Sequence, residues 1–155
     1  MLKRSIILCF LMLSFCMNGL GQKTKDSTEV AQTLKEIVLL CKTVDFNDPK
    51  VSELGTFYKV APYIVYRGED KKRSWKVAAD YTKEEEKKGV DEVCYKINNG
   101  INQDSNFVIK GFRTESESEG VWYVLTVSYI RKGKPKTSEF AFLKIKNRFL
   151  LGDID

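Results

Sequence analysis

The chain contains no histidine. That absence removes Ser-His-Asp and Cys-His catalysis together with histidine-based zinc and iron sites, because each needs an imidazole to carry a proton or hold the metal. Any acid–base chemistry must then rest on carboxylates, tyrosines and lysines. Charge of one sign is also scarce: 26 Lys and Arg stand against 21 Asp and Glu. No acidic residue precedes Asp26, so the formal charge falls from +5 to +3 once Lys3 and Arg4 are removed. An excess of that size leaves no electrostatic footprint for nucleic acid. No internal repeat or low-complexity tract interrupts the chain, and no apolar run reaches the roughly 20 residues that a membrane-spanning helix needs.

What is present begins with a targeting pattern. Lys3 and Arg4 form a positive n-region, Ile6 to Phe15 a short apolar core, and Gly19-Leu-Gly21 places small residues where a signal peptidase reads. Residues 1–21 therefore read as a signal peptide cleaved before Gln22, which puts the mature protein in the periplasm or outside the cell. Leu13-Ser-Phe-Cys16 resembles a lipobox, but Phe15 occupies a position that calls for a small residue, so lipoprotein anchoring through Cys16 is the weaker alternative. Residues 22–155 are one domain's worth of chain, long enough for a single hydrophobic core.

Cleavage removes Cys9 and Cys16 and leaves Cys41 and Cys94. Each falls on the apolar stripe of a predicted helix, so both thiols face one core. In an oxidising compartment they would form one disulfide, worth about 4 kcal/mol across that separation in the chain-entropy model. Two buried free thiols packed as small hydrophobes would satisfy the same pattern.

Asp26 with Glu29 three residues on is a capping-box arrangement, and Val30, Leu34, Ile37, Val38 and Cys41 follow at helical spacing. Asn47-Asp-Pro49 breaks this helix and opens another short one. Between Val51 and Tyr81 the reading is a helix and then an extended segment, with Gly68 to Arg73 as a charged turn and Trp75 to Ala79 as a short apolar patch. Thr82 and Glu85 cap the next helix, Glu84 and Lys88 pair along it, and Val90, Val93, Cys94, Ile97 and Ile101 form its stripe. Gly89 weakens it by roughly 1 kcal/mol relative to alanine, and Asn98-Asn-Gly100 ends it.

From Asn106 the period changes from helical to alternating. Phe107 and Ile109 precede Gly111, which suits a bulge. Thr114 to Gly120 reads as a turn. Val121, Tyr123, Leu125, Val127 and Tyr129 line one face of a long strand, with Trp122, Val124 and Ile130 on the other, so this strand is expected to be covered on both sides. Arg131 to Lys136 reads as a turn, Glu139 to Ile145 as a strand, and Lys146-Asn147 as a tight connection to Phe149-Leu-Leu151. Helices first and an antiparallel sheet after them give an α+β class with two amphipathic helices on one face of a bent sheet.

That order of elements, the Trp122-Tyr-Val strand and the terminal Phe140-Ala-Phe-Leu-Lys-Ile-Lys-Asn-Arg-Phe-Leu-Leu-Gly-Asp153 hairpin resemble the nuclear transport factor two-like superfamily, the cone-shaped fold shared with ketosteroid isomerases and SnoaL-type cyclases. The resemblance implies a cavity, not an activity. The ligand-binding candidates for such a cavity are Tyr63, Tyr66, Trp75 and Trp122, each of which would equally serve as core. A ketosteroid-type isomerase would need a carboxylate facing a tyrosine, and Asp80 beside Tyr81, with Tyr58, Tyr63 and Tyr66, supplies the residue types. Glu84-Glu-Glu86 complements a helix dipole and needs no metal, while Lys71-Lys-Arg73 and Lys132 to Lys136 read as solvated loops. No cofactor or metal is implied. The leading expectation is a non-enzymatic secreted module that binds a small apolar or carbohydrate-like ligand or forms a homodimer. A small isomerase, cyclase or dehydratase stands as the alternative, and an envelope protein that docks a larger partner through its sheet stands third.

Overall fold

The computed structural model describes residues 24–42, 59–67, 74–80, 83–101 and 106–155, with residues 83–88 as backbone alone. The leader at residues 1–21, the Asn47-Asp-Pro49 break, Tyr58, the Gly68 to Arg73 turn, Tyr81, the Thr82–Glu85 cap and the Glu84–Lys88 pair lie outside the described residues and side chains. Among the described residues no helix is long and apolar enough to cross a membrane.

Helix α1 covers residues 24–42. Its 3.6-residue period brings Val30, Leu34, Ile37, Val38 and Cys41 onto one buried face, and that burial rather than propensity is what holds such a helix. Asp26 does not cap it. The helix is already under way at residue 24, so Asp26 sits inside the first turns on the inward side, where its Oδ1 accepts a 3.0 Å hydrogen bond from Lys144 Nζ.

A helical turn at residues 59–60 runs into a 3₁₀ turn at Ala61–Tyr63, where Pro62 sits at the first positions and its missing N–H is not needed. Strand β1 (Val65–Tyr66) pairs antiparallel with β2 (Lys76–Val77), and a second 3₁₀ turn follows at Ala78–Asp80. Helix α2 (Lys83–Asn99) comes next. Its helix-weakening glycine has a structural reason: a Cβ at Gly89 would stand 3.0 Å from Cγ of Tyr66, so the missing side chain is what lets the tyrosine ring lie against the helix. Asn98 Nδ2 donates to the Cys41 carbonyl at 3.0 Å, tying the end of α2 to the end of α1. Cys41 and Cys94 are joined in a disulfide, both fully buried.

The sheet is a meander in the order β3 (Phe107–Glu117), β4 (Gly120–Arg131), β5 (Lys134–Ile145), β6 (Arg148–Ile154). Its turns are shorter than the sequence suggests. Thr114 to Glu117 is strand, with Glu117 opposite Gly120, so the connection is Ser118-Glu119 alone. Lys134 to Lys136 is strand as well, with Arg131 opposite Lys134. The remaining two residues, Lys132 and Gly133, have φ of 51° and 73°, and Lys146 and Asn147 have φ of 49° and 62°. Two consecutive positive φ values give the hairpin turn whose twist matches the strands it joins. The register shift between Ile109 and Gly111 sits where the glycine predicted a bulge.

Register then decides what each face carries. Leu125, Val127 and Tyr129 of β4, Phe140 and Phe142 of β5, and Phe149 and Leu151 of β6 pack with the stripes of α1 and α2 into one buried cluster. On the opposite face a second cluster joins Trp122, Val124, Leu143 and Leu150 to Val65, with Trp75 and Val77 packed against it. The small β1–β2 sheet is thus the cover on the far side of β4. It is anchored to the β6 edge by a parallel bridge from Ile64 to Leu151, and its own two ends are tied by the Ala78 N–H, which donates to the Ile64 carbonyl at 2.8 Å. The architecture is mixed α+β, as the change of period indicates.

Candidate functional site

The four ligand-binding candidates do not share one cavity. Tyr63 faces a shallow hollow between α1 and the β5–β6 hairpin, where the Arg148 guanidinium lies 5.6 Å from its ring centroid. Tyr66 packs on Gly89 along the seam between β1 and α2. Trp75 and Trp122, 47 residues apart in sequence, do come together. The pairing of Tyr66 with Lys76 folds the β1–β2 segment over the outer face of the sheet, and the two indoles meet edge to face with centroids 5.4 Å apart. They are the only tryptophans in the chain.

Trp122 reaches this position because its neighbours are small. A Cβ at Gly152 would lie 2.8 Å from the Trp122 ring and 2.9 Å from a Val65 methyl, closer than side chains tolerate. Ala141, opposite Val124 on β5, lines the same floor. Trp122 is 7% exposed, and its indole N–H is buried with no hydrogen-bond acceptor among the described residues.

Above this floor runs a groove of about 420 Å³, and its rim is charged. The alternation of β3 sends Arg113, Glu115 and Glu117 to the groove side, the same side as their β4 partners Val124 and Trp122. Arg113 donates from both terminal nitrogens to the two oxygens of Glu139 at 2.6 Å and from Nε to Glu115 at 2.8 Å. These bonds, Glu139 foremost, hold the guanidinium more firmly charged than usual and pull the Glu139 carboxyl below the ordinary carboxylate range. At the other end Glu119, on the tip of the β3–β4 hairpin, accepts from the Trp75 indole N–H at 2.6 Å and from Arg67, whose guanidinium also lies 4.6 Å from the Trp75 ring centroid. The Trp75 bond, and after it Arg67, depresses the Glu119 carboxyl. One carboxylate therefore fastens the small sheet to the hairpin tip.

No family model, curated protein or solved structure matches the chain.

On the helix-facing side, Phe140, Phe142, Leu125 and Leu151 are buried in the cluster under α1 and α2, each at most 1% exposed. Asp80 is exposed on its 3₁₀ turn. Asp26 is the one buried acid among the described residues, and it is bonded to Lys144, whose ammonium also lies over the Phe149 ring at 4.6 Å. Among the described residues no three His, Cys, Asp or Glu side chains gather as a metal site would require. Sequence reading singled out the two tryptophans of the groove but missed Arg67, Arg113, Glu119 and Glu139. The signal for one of them was present: Arg113-Thr-Glu115-Ser-Glu117 alternates charged with small residues, the pattern of a strand with one solvated face.

Proposed function

We propose that the chain is an exported, non-enzymatic binding module of the cone-shaped, nuclear transport factor two-like class, and that its ligand lies in the outer groove over Trp75 and Trp122. The class reading is supported by two helices packed on one face of an antiparallel meander whose strands carry register shifts at Ile109/Gly111 and Ala141/Phe142, features that bend a sheet. Export is supported by the leader pattern and by the buried disulfide, which suits an oxidising compartment. The observation that carries the binding reading is the groove itself: an apolar, indole-lined floor with a rim of oriented guanidinium and carboxylate groups, the composition expected of a ligand site. Its location departs from the interior cavity that the superfamily resemblance implies.

Because both tryptophans of the chain line the groove, tryptophan emission excited clear of the tyrosines reports on this site. Titrating the mature protein with soluble glycans, short peptides and small apolar compounds should reveal a ligand that shifts the emission, and Glu119→Ala should weaken that ligand severalfold by releasing Trp75. Ligands that bind with unchanged emission would place the site elsewhere and end this reading, as would a panel in which nothing binds.

A further inference from the structure

Resting on the groove as the binding site, we infer that its ligand is a basic peptide, with a lysine or arginine side chain seated among the rim carboxylates. Six carboxylates line the groove, those of Glu115, Glu117, Glu119, Glu139, Asp153 and Asp155, against the two guanidinium groups of Arg67 and Arg113. This is the reverse of the chain as a whole, which is formally +5. Both guanidiniums are already consumed: Arg113 is bonded to Glu139 and Glu115, and Arg67 is bonded to Glu119 and lies against the Trp75 ring. An anionic guest would find no free cation and would meet a net negative field. A cationic guest meets Glu117 and Asp155, exposed and without an ion pair among the described residues, and Asp153, whose ion pair with Lys96 Nζ is a long one at 3.8 Å. Low-dielectric walls such as the Trp122, Val124 and Ala141 floor strengthen that attraction relative to open water.

The second observation is independent of charge. The indole N–H of Trp122, a residue of the groove floor, is buried and has no acceptor among the described residues. Native folds rarely leave such a group unpaired, so a guest that supplies an acceptor gains from it once the indole turns to meet it. A polyamine offers cations and no acceptor of this kind; a peptide offers an ammonium or guanidinium and, within a few atoms, a backbone carbonyl. A volume of about 420 Å³ holds one long basic side chain together with its flanking peptide groups.

The test uses the mature protein, tryptophan emission and calorimetry at low and at physiological salt, with acetyl-Ala-Lys-Ala-amide, acetyl-Ala-Glu-Ala-amide, acetyl-Ala-Ala-Ala-amide and spermidine as probes. The lysine peptide should bind, weaken as salt rises, and lose about tenfold in affinity in the E117Q/D155N double variant, whose thermal midpoint should be unchanged because both residues are exposed and make no ion pair among the described residues. Exposed ion pairs of this kind contribute a few-fold each. Equal or tighter binding of the glutamate or alanine peptide would overturn the cationic assignment while leaving the groove as the binding site. Equal or tighter binding of spermidine would overturn the peptide assignment. Binding of the lysine peptide that is unchanged in E117Q/D155N would overturn the inference as well. If the lysine peptide fails while another class of compound shifts the tryptophans, this inference falls and the groove reading stands; if none does, both fall.

Discussion

Removing the Cys41–Cys94 disulfide should be the most damaging two-atom change available in this protein. The bridge closes a separation of 53 residues, which in the chain-entropy model is worth about 4 kcal/mol of unfolded-state freedom. That is a large share of the 5–15 kcal/mol that holds a typical domain. For a chain of this length it corresponds to a fall in melting temperature of roughly 10–15 °C. Both cysteines are 0% exposed, which adds a kinetic expectation. A reductant cannot reach the sulfurs in the native fold, so reduction should proceed at the rate of opening and be independent of dithiothreitol concentration at high dithiothreitol. Urea unfolding followed by circular dichroism should be compared for the oxidised protein, the reduced protein and C41A/C94A. The double variant should lose somewhat more than reduction does, because it leaves two small cavities in the cluster under α1 and α2. A loss below about 1 kcal/mol in both samples would refute the reasoning, as would reduction whose rate stays proportional to reductant concentration under native conditions.

Other consequences follow from particular contacts. Gly152→Ala puts a methyl 2.8 Å from the Trp122 ring and should cost about 1–3 kcal/mol with a visible change in tryptophan emission, whereas Gly133→Ala, with φ of 73° and open space around it, should cost about 1–2 kcal/mol with none. Lys144→Met should destabilise by leaving Asp26 charged and buried, and D26N/K144M should recover part of the loss in a denaturation-based double-mutant cycle. The Lys144 ammonium is raised by its bond to Asp26, so the pair's contribution is complete below the ordinary lysine value of about 10.4 and is lost as pH rises through the higher folded value; alkaline melting curves of wild type and K144M should converge. Glu119 and Glu139 are depressed, so their contribution is complete above the ordinary glutamate value of about 4.3 and is lost as pH falls through the lower folded values. Acid titration should therefore loosen the hold on Trp75 and change its emission below that point, and Glu119→Ala should show the change already at neutral pH.

The two helices and the strand order were legible because burial there obeys a period. The stripes Val30 to Cys41 and Val90 to Ile101 and the alternation of Tyr123 to Tyr129 each answer to one apolar face. The turn boundaries were not, because strand pairing overrode composition. Lys134-Pro135-Lys136 looks like loop chemistry, yet Pro135 and Lys136 pair opposite Ile130 and Tyr129, and two residues with positive φ are enough to reverse the chain. Asp26 misled for a related reason: a carboxylate three residues before Glu29 has the form of a cap, and only tertiary structure could supply Lys144, 118 residues away. The groove was half visible. Its tryptophans stand out in composition, but Glu119 functions as a clasp only after the β3–β4 hairpin carries it to Arg67 and Trp75, and nothing local to Ser118-Glu119 announces that meeting.

The meander has a consequence for how the molecule is assembled in time. Every strand of the main sheet pairs with its neighbour in sequence through a two-residue turn, so the C-terminal third can form from short loop closures that cost little entropy. The helices belong to the opposite regime, since α1 finds its sheet partner more than a hundred residues downstream. The sheet is then the template and the helices the late arrivals. On this ordering the bond between Cys41 and Cys94 closes over a surface already built, which makes it a bolt on a finished wall and leaves the transition state of folding largely indifferent to it.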